Sequence, residues 1–274
     1  MVRAEERRRL IIELLEREGE VAVDALAQRF GVSQVTIRKD LHELEERGIL
    51  HRTHGGAIPV HKSLFNPSFY EKLNFKRQEK QAIAWAALEL IQEGDSIILD
   101  AGSTTLALAR LLRHRFRRLY VITNSMPVAL ELSKSGFDVL LTGGQMRHHS
   151  LALIGPAAVD MLRHYHVDKA FLGATGVDDQ GYSTPNPIEA QTKRALLQAA
   201  SVAYVLADSS KLGQPTLARF AALEEVALLI TDAAAPADFL SRLDARGLRY
   251  LLAPNVDAVE GKRASAGIAA QDDG

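Results

Sequence analysis

The sequence predicts an α/β protein in two parts: a small helical unit closed by a β-hairpin, and a larger domain built around a mostly parallel sheet. Two patterns predict this. Helical periodicity, interrupted by tight turns, fills residues 1–60. From Gln78 onward, short apolar runs alternate with helical stretches, and that alternation is typical of a parallel sheet covered on both faces.

The domain boundaries follow from these patterns. Residues 1–60 are predicted to form the first unit, and residues 77–254 the α/β domain. Residues 61–76 show no clear period, and we expect them to be a linker. After Pro254 the sequence turns to small and polar residues, so we expect residues 255–274 to be disordered.

The composition excludes several classes of function. The 274 residues include no cysteine, which rules out a disulfide framework and any cysteine-ligated metal site. His148 and His149 lack clustered carboxylates at ligand spacing, so we expect no metal and no other cofactor. No apolar run approaches the ~20 residues needed to span a bilayer, and the N-terminus lacks the apolar segment of a signal peptide. The cytoplasm is the expected location.

Three helices are predicted in the N-terminal unit. Apolar residues at helical spacing place the first helix at about residues 5–18 and the second at residues 24–30. Gly31 follows at a position where a helix end favours a left-handed residue. Ser33 can then cap a third helix that runs to about residue 47.

A hairpin is predicted after the third helix. Residues 49–53 and 57–60 have the pattern of short strands, and the segment His54-Gly55-Gly56 joins them. A short helix, a tight turn, a capped second helix and a hairpin together indicate a winged helix-turn-helix.

The third helix has its basic and polar side chains at its N-terminal end. Its first turn and a half contains Gln34, Thr36, Arg38 and Lys39. Such side chains donate to base edges and phosphates, and a recognition helix inserts this end into the major groove. Residues 1–62 contain eleven Lys or Arg and eleven Asp or Glu, so a DNA-binding surface must gather the basic groups on one face.

Three segments resemble the DNA-binding module of the DeoR family of bacterial transcription regulators. They are residues 35–41 (VTIRKDL), 44–48 (LEERG) and 52–57 (RTHGGA), and the similarity continues to about Asp232. The resemblance implies that the third helix is the recognition helix, that Arg52 belongs to the wing, and that the chain represses an operon for carbohydrate catabolism. The partner is then double-stranded operator DNA. The predicted DNA contacts are Ser33, Gln34, Thr36, Arg38, Lys39 and Arg52.

Polar segments follow most of the predicted strands of the second domain. Strands are predicted at residues 96–99, 119–123, 138–142, 169–172, 202–207, 226–231 and 248–252. The polar segments are residues 100–105, 123–125, 142–144, 173–176 and 208–211. Because ligands of a parallel α/β sheet bind outside the carboxyl ends of its strands, we expect a ligand site at this edge.

The segment Asp100-Ala101-Gly102-Ser103-Thr104-Thr105 has the properties of a phosphate site. Glycine lets a ligand approach the backbone, hydroxyls donate, and free N–H groups at a helix start favour an anion. Taken alone, the segment fits a tight turn with a helix N-cap equally well. It is neither a Walker loop nor a G-x-G-x-x-G fingerprint, so ATP and NAD have little support.

Glu189 and Lys193 are spaced i, i+4 in a predicted helix, which by itself fits a surface ion pair. The family resemblance instead implies an effector site, because residues 189–194 and 208–211 match segments that line it. Lys193 and Lys211 could neutralise a phosphate, and Asp100 and Glu189 could accept hydrogen bonds from sugar hydroxyls. The predicted effector-binding residues are Asp100, Gly102, Ser103, Thr104, Thr105, Asn124, Gly143, Gly144, Glu189, Lys193 and Lys211.

Two alternatives remain open at the level of the sequence. The family's effector domain resembles ribose-5-phosphate isomerase in fold, and Asp100, Glu189 and Lys193 could in principle transfer protons in such an enzyme. That enzyme carries an acidic D-G-A-D-E run, whereas residues 173–178 here are GATGVD. A winged helix used only for protein contacts is disfavoured by Arg38 and Lys39. The sequence names neither the sugar nor the operator, and a homo-oligomer is expected because one winged helix makes few contacts.

Overall fold

The structure is a computed structural model and describes residues 4–18, 20–46, 49–59 and 68–254. The chain divides into two compact units, residues 1–67 and residues 68–274. The expectation of a disordered tail falls on residues 255–274, which lie outside the described residues. Within the described part of the chain, no helix is long and apolar enough to cross a membrane.

The N-terminal unit contains three helices and a small antiparallel sheet. The elements are α1 (Ala4–Glu18), β1 (Val21–Ala22), α2 (Val23–Phe30), α3 (Gln34–Glu46), β2 (Leu50–Arg52) and β3 (Gly56–Pro59). The sheet has the order β1-β3-β2, and β2 and β3 are the predicted hairpin. The three helices and the hairpin confirm the predicted winged helix-turn-helix. β1 was not predicted, because two residues are too few to show an alternating pattern.

The turn between α2 and α3 has the predicted geometry. Gly31 adopts φ 63° and ψ 38°, a left-handed conformation, and the Val32 N–H donates to the Ala27 carbonyl at 3.1 Å. Ser33 Oγ accepts from the Thr36 N–H at 3.2 Å, which caps α3. The left-handed turn at Gly31 and the cap at Ser33, which set where α3 begins, thus both depend only on residues close in the sequence.

The second unit is built on a seven-stranded sheet in which every neighbouring pair is parallel. Its order is β15-β14-β12-β9-β4-β5-β6. The strands are β4 (Ser96–Leu99), β5 (Tyr120–Thr123), β6 (Asp138–Leu141), β9 (Val167–Gly173), β12 (Ala200–Leu206), β14 (Leu228–Asp232) and β15 (Tyr250–Ala253). All seven correspond to predicted strands, so the α/β fold with a mostly parallel sheet is confirmed.

Helices cover both faces of this sheet. The helices are α4 (Phe69–Asn74), α5 (Arg77–Leu88), α6 (Ser103–Arg115), α7 (Met126–Leu132), α8 (Pro156–Leu162), α9 (Pro187–Gln198) and α10 (Ala237–Ala245). Apolar residues of α5, α6 and α7 form one buried cluster with alternate residues of the strands. Residues of α9 and α10 form a second cluster with the other strand residues. Burial on both faces explains why these strands are nearly continuous apolar runs in the sequence.

Five short antiparallel strands complete the unit. They are β7 (Gln145–Arg147), β8 (Ala152–Ile154), β10 (Gly176–Asp178), β11 (Gly181–Thr184) and β13 (Ala218–Ala221). β7 pairs with β8, and β11 lies between β10 and β13. None was predicted, because strands of three or four residues show too few alternations for a period.

The expected linker of residues 61–76 is wrong in its second half. Residues 69–74 form α4, and Phe69 is buried in the core beneath α5 and α6. The Phe69 N–H donates to the His149 carbonyl at 2.6 Å, which ties the start of α4 to the β7–β8 turn. A helix of six residues spans less than two turns, so its sequence shows no helical period. Residues 61–67 lie outside the described residues.

Candidate functional site

The exposed face of α3 gathers the predicted DNA-binding side chains. Gln34, Arg38 and Lys39 are exposed, whereas Ile37 and Leu41 are buried on the opposite face. Arg38 Nη2 donates to Gln34 Oε1 at 3.4 Å, so these two side chains support each other one helical turn apart. Polar donors at the start of a capped helix form a surface of the kind that enters the major groove.

Ser33 and Thr36 are occupied by the cap of α3. Their hydroxyl oxygens lie 2.9 Å apart, in addition to the bond from the Thr36 N–H to Ser33 Oγ. Both were predicted to contact DNA. The structure assigns each a local role at the helix start, and contact with DNA stays a prediction for both.

Arg52 is joined to α3 rather than standing free in the wing. Its Nε donates to Glu45 Oε2 at 2.6 Å, and its backbone N–H donates to Glu45 Oε1 at 2.9 Å. Glu45 therefore fixes the edge of the wing to the recognition helix. This pair could not be predicted from the sequence, because an acidic residue on a helix and a basic residue on a strand share no spacing rule.

A buried ion pair connects α3 to α1. Arg7 Nε lies 2.5 Å from Asp40 Oδ2, and both side chains are almost fully buried. Arg8 Nε lies 3.6 Å from the other oxygen of Asp40, and Arg8 also pairs with Glu43. Removing one partner of this buried pair would leave an uncompensated charge, and the network links α3 to α1. The pair joins residues 33 positions apart and could not be predicted from the sequence.

In the second unit, Asp100 lies at the carboxyl end of β4 and joins three elements. Its Oδ2 accepts from the Gly173 N–H at 3.0 Å and from the Lys193 ammonium, and Lys193 Nζ also donates to the Gly173 carbonyl at 2.9 Å. Asp100 and Lys193 are both buried. Burial raises the pKa of Asp100, and the Lys193 ammonium opposes that rise. Asp100 Oδ1 has no hydrogen-bond partner among the described residues.

The loop from Asp100 to Thr105 is held in place by its own hydroxyl and by Asn124. Thr105 Oγ1 donates to the Asp100 carbonyl at 2.6 Å, and Asn124 Oδ1 accepts from the Ala101 N–H at 3.0 Å. α6 begins at Ser103 without a side-chain cap on Gly102, so its first N–H groups have no intrahelical partner. Thr105 and Asn124 thus hold this loop in place, and donation by the backbone N–H groups of residues 103 and 104 to an anion stays a prediction.

Two cationic residues at this edge were not predicted. Lys72 belongs to α4 and Arg147 to β7, and Arg147 Nη1 lies 3.1 Å from Glu189 Oε2. Burial lowers the pKa of Lys72 to about 8; Glu189 opposes the shift, and nearby Lys211, Lys193 and Arg147 add to it. Within the described part of the chain, the Lys72 ammonium has no hydrogen bond or ion pair. Lys72 is half-buried, and a cation in this setting without an ion pair among the described residues could accept an anion.

Lys80 and Lys211 are two further cations next to Lys72 and Arg147. Lys80 is buried and donates to the Phe75 carbonyl, and its Nζ lies 3.8 Å from Asp208 Oδ2. Burial lowers the pKa of Lys80 to about 8, with Asp208 opposing and Lys211 adding to the shift. Burial alone would raise the pKa of Asp208, but Lys211 and Lys80 bring it below its usual value. Lys80 and Lys211 both stand over the Phe75 ring, 5.5 and 5.6 Å from its centre.

These groups form one cluster with an excess of positive charge. Its cations are Lys72, Lys80, Arg147, Lys193 and Lys211, and its carboxylates are Asp100, Glu189 and Asp208. Lys76, Glu79 and Asp232 also act on this group, so the full count is six cations against five carboxylates. The small excess of positive charge favours an anionic ligand.

Gly143 and Gly144 have no described contact with this cluster. The Gly143 N–H faces Met161 Sδ at 3.4 Å. Gly144 has φ 125°, and a Cβ there would lie 2.6 Å from the Ile154 carbonyl oxygen. Gly144 is therefore required for the close approach of β8, and a ligand contact by either glycine stays a prediction.

Comparison with known proteins identifies both units. Residues 7–63 match the DeoR-like helix-turn-helix domain, and residues 76–233 match the DeoR C-terminal sensor domain. The chain belongs to the DeoR family. It is 37% identical over 244 residues to the HTH-type transcriptional regulator GlpR of Haloferax volcanii, an alignment that covers 89% of this chain and 95% of that protein.

Other relatives of this DeoR-family regulator are named repressors. A putative aga operon transcriptional repressor of Escherichia coli O157:H7 is 38% identical over 251 residues, covering 90% of this chain and 93% of that protein. The HTH-type transcriptional repressor GlcR of Bacillus subtilis (strain 168) is 36% identical over 251 residues, covering 90% of this chain and 96% of that protein. The relatives are transcriptional regulators, and this chain is a regulator rather than an enzyme.

Solved structures resemble the chain only distantly. A ribose 5-phosphate isomerase A from Methanocaldococcus jannaschii aligns with 50% of this chain and 55% of its own, at 22% identity and a TM-score of 0.37. A translation initiation factor eIF-2B from Pyrococcus horikoshii OT3 aligns over 78% of this chain and 72% of that protein's chain, at 20% identity and a TM-score of 0.40. Scores this low carry no argument about activity.

Proposed function

We propose that this DeoR-family regulator represses an operon for carbohydrate catabolism, and that a phosphorylated sugar bound to its sensor unit changes its affinity for operator DNA. The observation that carries the proposal is the cluster of five cations and three carboxylates, in which Lys80, Lys193 and the carboxylates are buried and the half-buried Lys72 forms no ion pair among the described residues. The names of the aga operon repressor and of GlcR support repression as the direction of control.

The cationic part of the cluster suits a phosphate. Among the described residues Lys72 and Lys211 form no ion pair, although Asp208 lies near Lys211, whereas Lys193 and Arg147 contact carboxylates directly. A phosphate between Lys72 and Lys211 would neutralise both, and the uncapped start of α6 offers backbone donors to the same ligand. Free inorganic phosphate could satisfy this part alone, so the sugar must be recognised separately.

The acidic part of the cluster suits the hydroxyls of a sugar. Asp100 Oδ1 is buried without a hydrogen-bond partner among the described residues, and Glu189 Oε2 meets Arg147 without a hydrogen bond of good geometry. A buried acceptor left unsatisfied costs about 1–3 kcal/mol. Ligand hydroxyls that donate to these oxygens would recover that cost, which favours a phosphorylated polyol over phosphate itself.

The DNA-binding part of the proposal rests on α3. Gln34, Arg38 and Lys39 form the exposed donor surface, and Arg52 supports the wing through Glu45. A single winged helix makes few contacts, so we also propose that the regulator binds a two-fold symmetric operator as a homo-oligomer.

Thermal unfolding with a panel of ligands tests the proposal. The panel pairs each sugar phosphate with its unphosphorylated sugar and includes inorganic phosphate. A ligand at 100 times its Kd should add about 2.7 kcal/mol to the stability of the unit that binds it. We expect a stabilising shift from at least one sugar phosphate and a smaller one from its two fragments. If no sugar phosphate stabilises the protein more than phosphate does, the sensor function proposed here is wrong.

A further inference from the structure

One stripe of α3 is exposed along the length of the helix. Val35, Arg38, Lys39 and His42 are spaced i, i+3, i+4 and i+7, which places them on a single helical face. All four side chains are exposed. Val35 lies at the N-terminal end of the stripe, the end that a recognition helix inserts most deeply into the major groove.

Val35 is the exception to the polar character of this stripe. It is 60% exposed, and among the described residues of the N-terminal unit it is the only large apolar side chain that is exposed. The apolar side chains that pack α3 against the core are Ile37, Leu41 and Leu44, each at most 1% exposed. Val35 therefore takes no part in the core of the unit.

Neither packing nor helix stability explains a valine at this position. A β-branched residue loses side-chain freedom in a helix, and valine is a weaker helix former than Arg, Lys, Gln or Glu. Single exposed apolar residues are common on protein surfaces. This one, however, is in the first turn of α3, between Gln34 and Arg38, at the end that a recognition helix inserts into the major groove.

Thymine is the base that offers an apolar group in the major groove, through its C5 methyl. We infer that Val35 packs against the methyl group of a thymine in the operator and so selects that base pair. The inference rests on the proposed DNA binding by α3. It assigns Val35 a specificity role beside the hydrogen-bonding residues.

The spacing along α3 also limits where the thymine lies. Val35 and Arg38 are one turn apart, which is about 5 Å along the helix axis. Successive base pairs are about 3.4 Å apart along the duplex. The thymine that Val35 contacts is thus within about two base pairs of the base or phosphate that Arg38 contacts.

The test removes the methyl group from each side of the contact. The full-length wild-type protein first selects its preferred duplex from a random library. Each thymine of that duplex is then replaced in turn by deoxyuridine, which lacks only the methyl group. Binding of wild type, Val35→Ala and Val35→Thr is measured by fluorescence anisotropy at one fixed salt concentration, because affinity for DNA depends steeply on salt.

One thymine per half-site should behave differently from the others. Its replacement by deoxyuridine should weaken wild-type binding about fourfold, the factor that corresponds to the roughly 0.8 kcal/mol of one buried methyl group. The same replacement should leave the affinity of Val35→Ala unchanged. Val35→Thr keeps one γ-methyl group, so it should retain most of the preference for thymine.

Two controls separate this role from a general effect. Leu130→Ala removes an aliphatic side chain that is 72% exposed on α7, and it should bind every duplex like wild type. Thermal unfolding should be the same for Val35→Ala as for wild type, since the side chain has no place in the core. The inference fails if Val35→Ala binds all duplexes like wild type, or if it loses the same affinity on the thymine and deoxyuridine forms at every position. Absence of selective binding by the wild type would instead contradict the proposed function.

Discussion

Arg147 Nη1 lies 3.1 Å from Glu189 Oε2, so the β7–β8 hairpin closes over the first turn of α9. The two residues are 42 positions apart in the sequence. The same hairpin accepts a hydrogen bond from the Phe69 N–H through the His149 carbonyl. One short hairpin therefore contacts both the acidic part of the cluster and the start of α4, the helix that carries Lys72.

The first prediction concerns this ion pair. Arg147→Gln leaves the buried Glu189 carboxylate without its cation and should destabilise the sensor unit by about 1–3 kcal/mol. Glu189→Gln should also destabilise it, because Arg147 then loses its partner. Thermal or urea unfolding of the double variant Arg147→Gln/Glu189→Gln should show a loss smaller than the sum of the two single losses. Strictly additive losses would mean that the two side chains do not interact.

A second prediction is that the protein gains stability when Lys72 is removed. Burial lowers the pKa of Lys72 from 10.5 to about 8, so the charged form is disfavoured in the folded protein without ligand. Lys72→Met keeps the length of the side chain and removes the charge. It should raise the Tm by about 2–4 °C for each kcal/mol recovered, and should abolish the stabilisation by sugar phosphate.

Lys134→Met is the matched control for this substitution, because Lys134 is exposed on the same unit. It should change neither the Tm nor the response to ligand. A Lys72→Met variant that is less stable than wild type, or that still responds fully to the ligand, would contradict the assignment of Lys72 to the anion site.

The third prediction is a pH dependence of ligand affinity. Lys72 and Lys80 both have a pKa of about 8 in the unliganded protein. A phosphate dianion favours their protonated forms, so its affinity should be nearly constant from about pH 7 to the pKa of the lysines and should fall as the pH rises through that pKa. Each proton taken up on binding contributes up to tenfold per pH unit. Isothermal titration between about pH 7 and pH 9 measures the slope.

Stability without ligand should change in the opposite direction over the same range. Because the folded pKa of Lys72 is below its unfolded value of 10.5, the unfolded chain binds more protons between about pH 8 and that value. The contribution of this lysine to stability therefore rises with pH in that window. The Lys72→Met variant should show a shallower pH dependence of both ligand affinity and stability. A flat affinity for wild type would show that neither lysine faces the anion.

The strands of the seven-stranded sheet can be predicted from the sequence for a physical reason. Each strand of the seven-stranded sheet is buried on both faces, so it appears as an uninterrupted apolar run with a polar segment after it. Asp100 and Asn124 could be found in this way, since both follow such runs. Their partners could not, because the contacts of Asp100 with Gly173 and Lys193 require β9 to lie beside β4. Sheet order does not follow from periodicity.

The residues that were missed lie on elements too short to have a period. Lys72 is on the six-residue helix α4, and Arg147 is on the three-residue strand β7. Conversely, Lys193 was predicted to be available to an anion, but its ammonium is already bonded to Asp100 and Gly173. Its substitution is expected to disturb the fold, so Lys211 is the better position at which to test anion binding.

The fourth prediction concerns the recognition helix. Arg38→Ala should weaken operator binding by about 1–3 kcal/mol and relax selectivity at one base pair if Arg38 contacts a guanine. If Lys39 contacts a phosphate, Lys39→Ala should weaken binding to all sequences alike and reduce the salt slope by about one. Arg9→Ala is the control, because Arg9 is exposed on α1 and pairs with Glu13 of the same helix. Unchanged affinity of both α3 variants in a gel-shift titration would remove the assignment of α3 as the recognition helix.

The last prediction joins the two ligands of the regulator. If a sugar phosphate changes operator affinity, thermodynamic linkage requires operator DNA to change sugar-phosphate affinity by the same factor, typically about 5–150-fold or 1–3 kcal/mol. Lys211→Ala removes a cation that stands over the Phe75 ring without being buried as deeply as Lys193. It should bind operator like wild type and respond less to the ligand, whereas Lys134→Ala should behave like wild type in both respects. Ligand titrations with and without operator DNA measure the coupling directly. Equal ligand affinities in the two titrations would mean that the sites are not linked, and the regulator would then not act as a sensor even though it binds both partners.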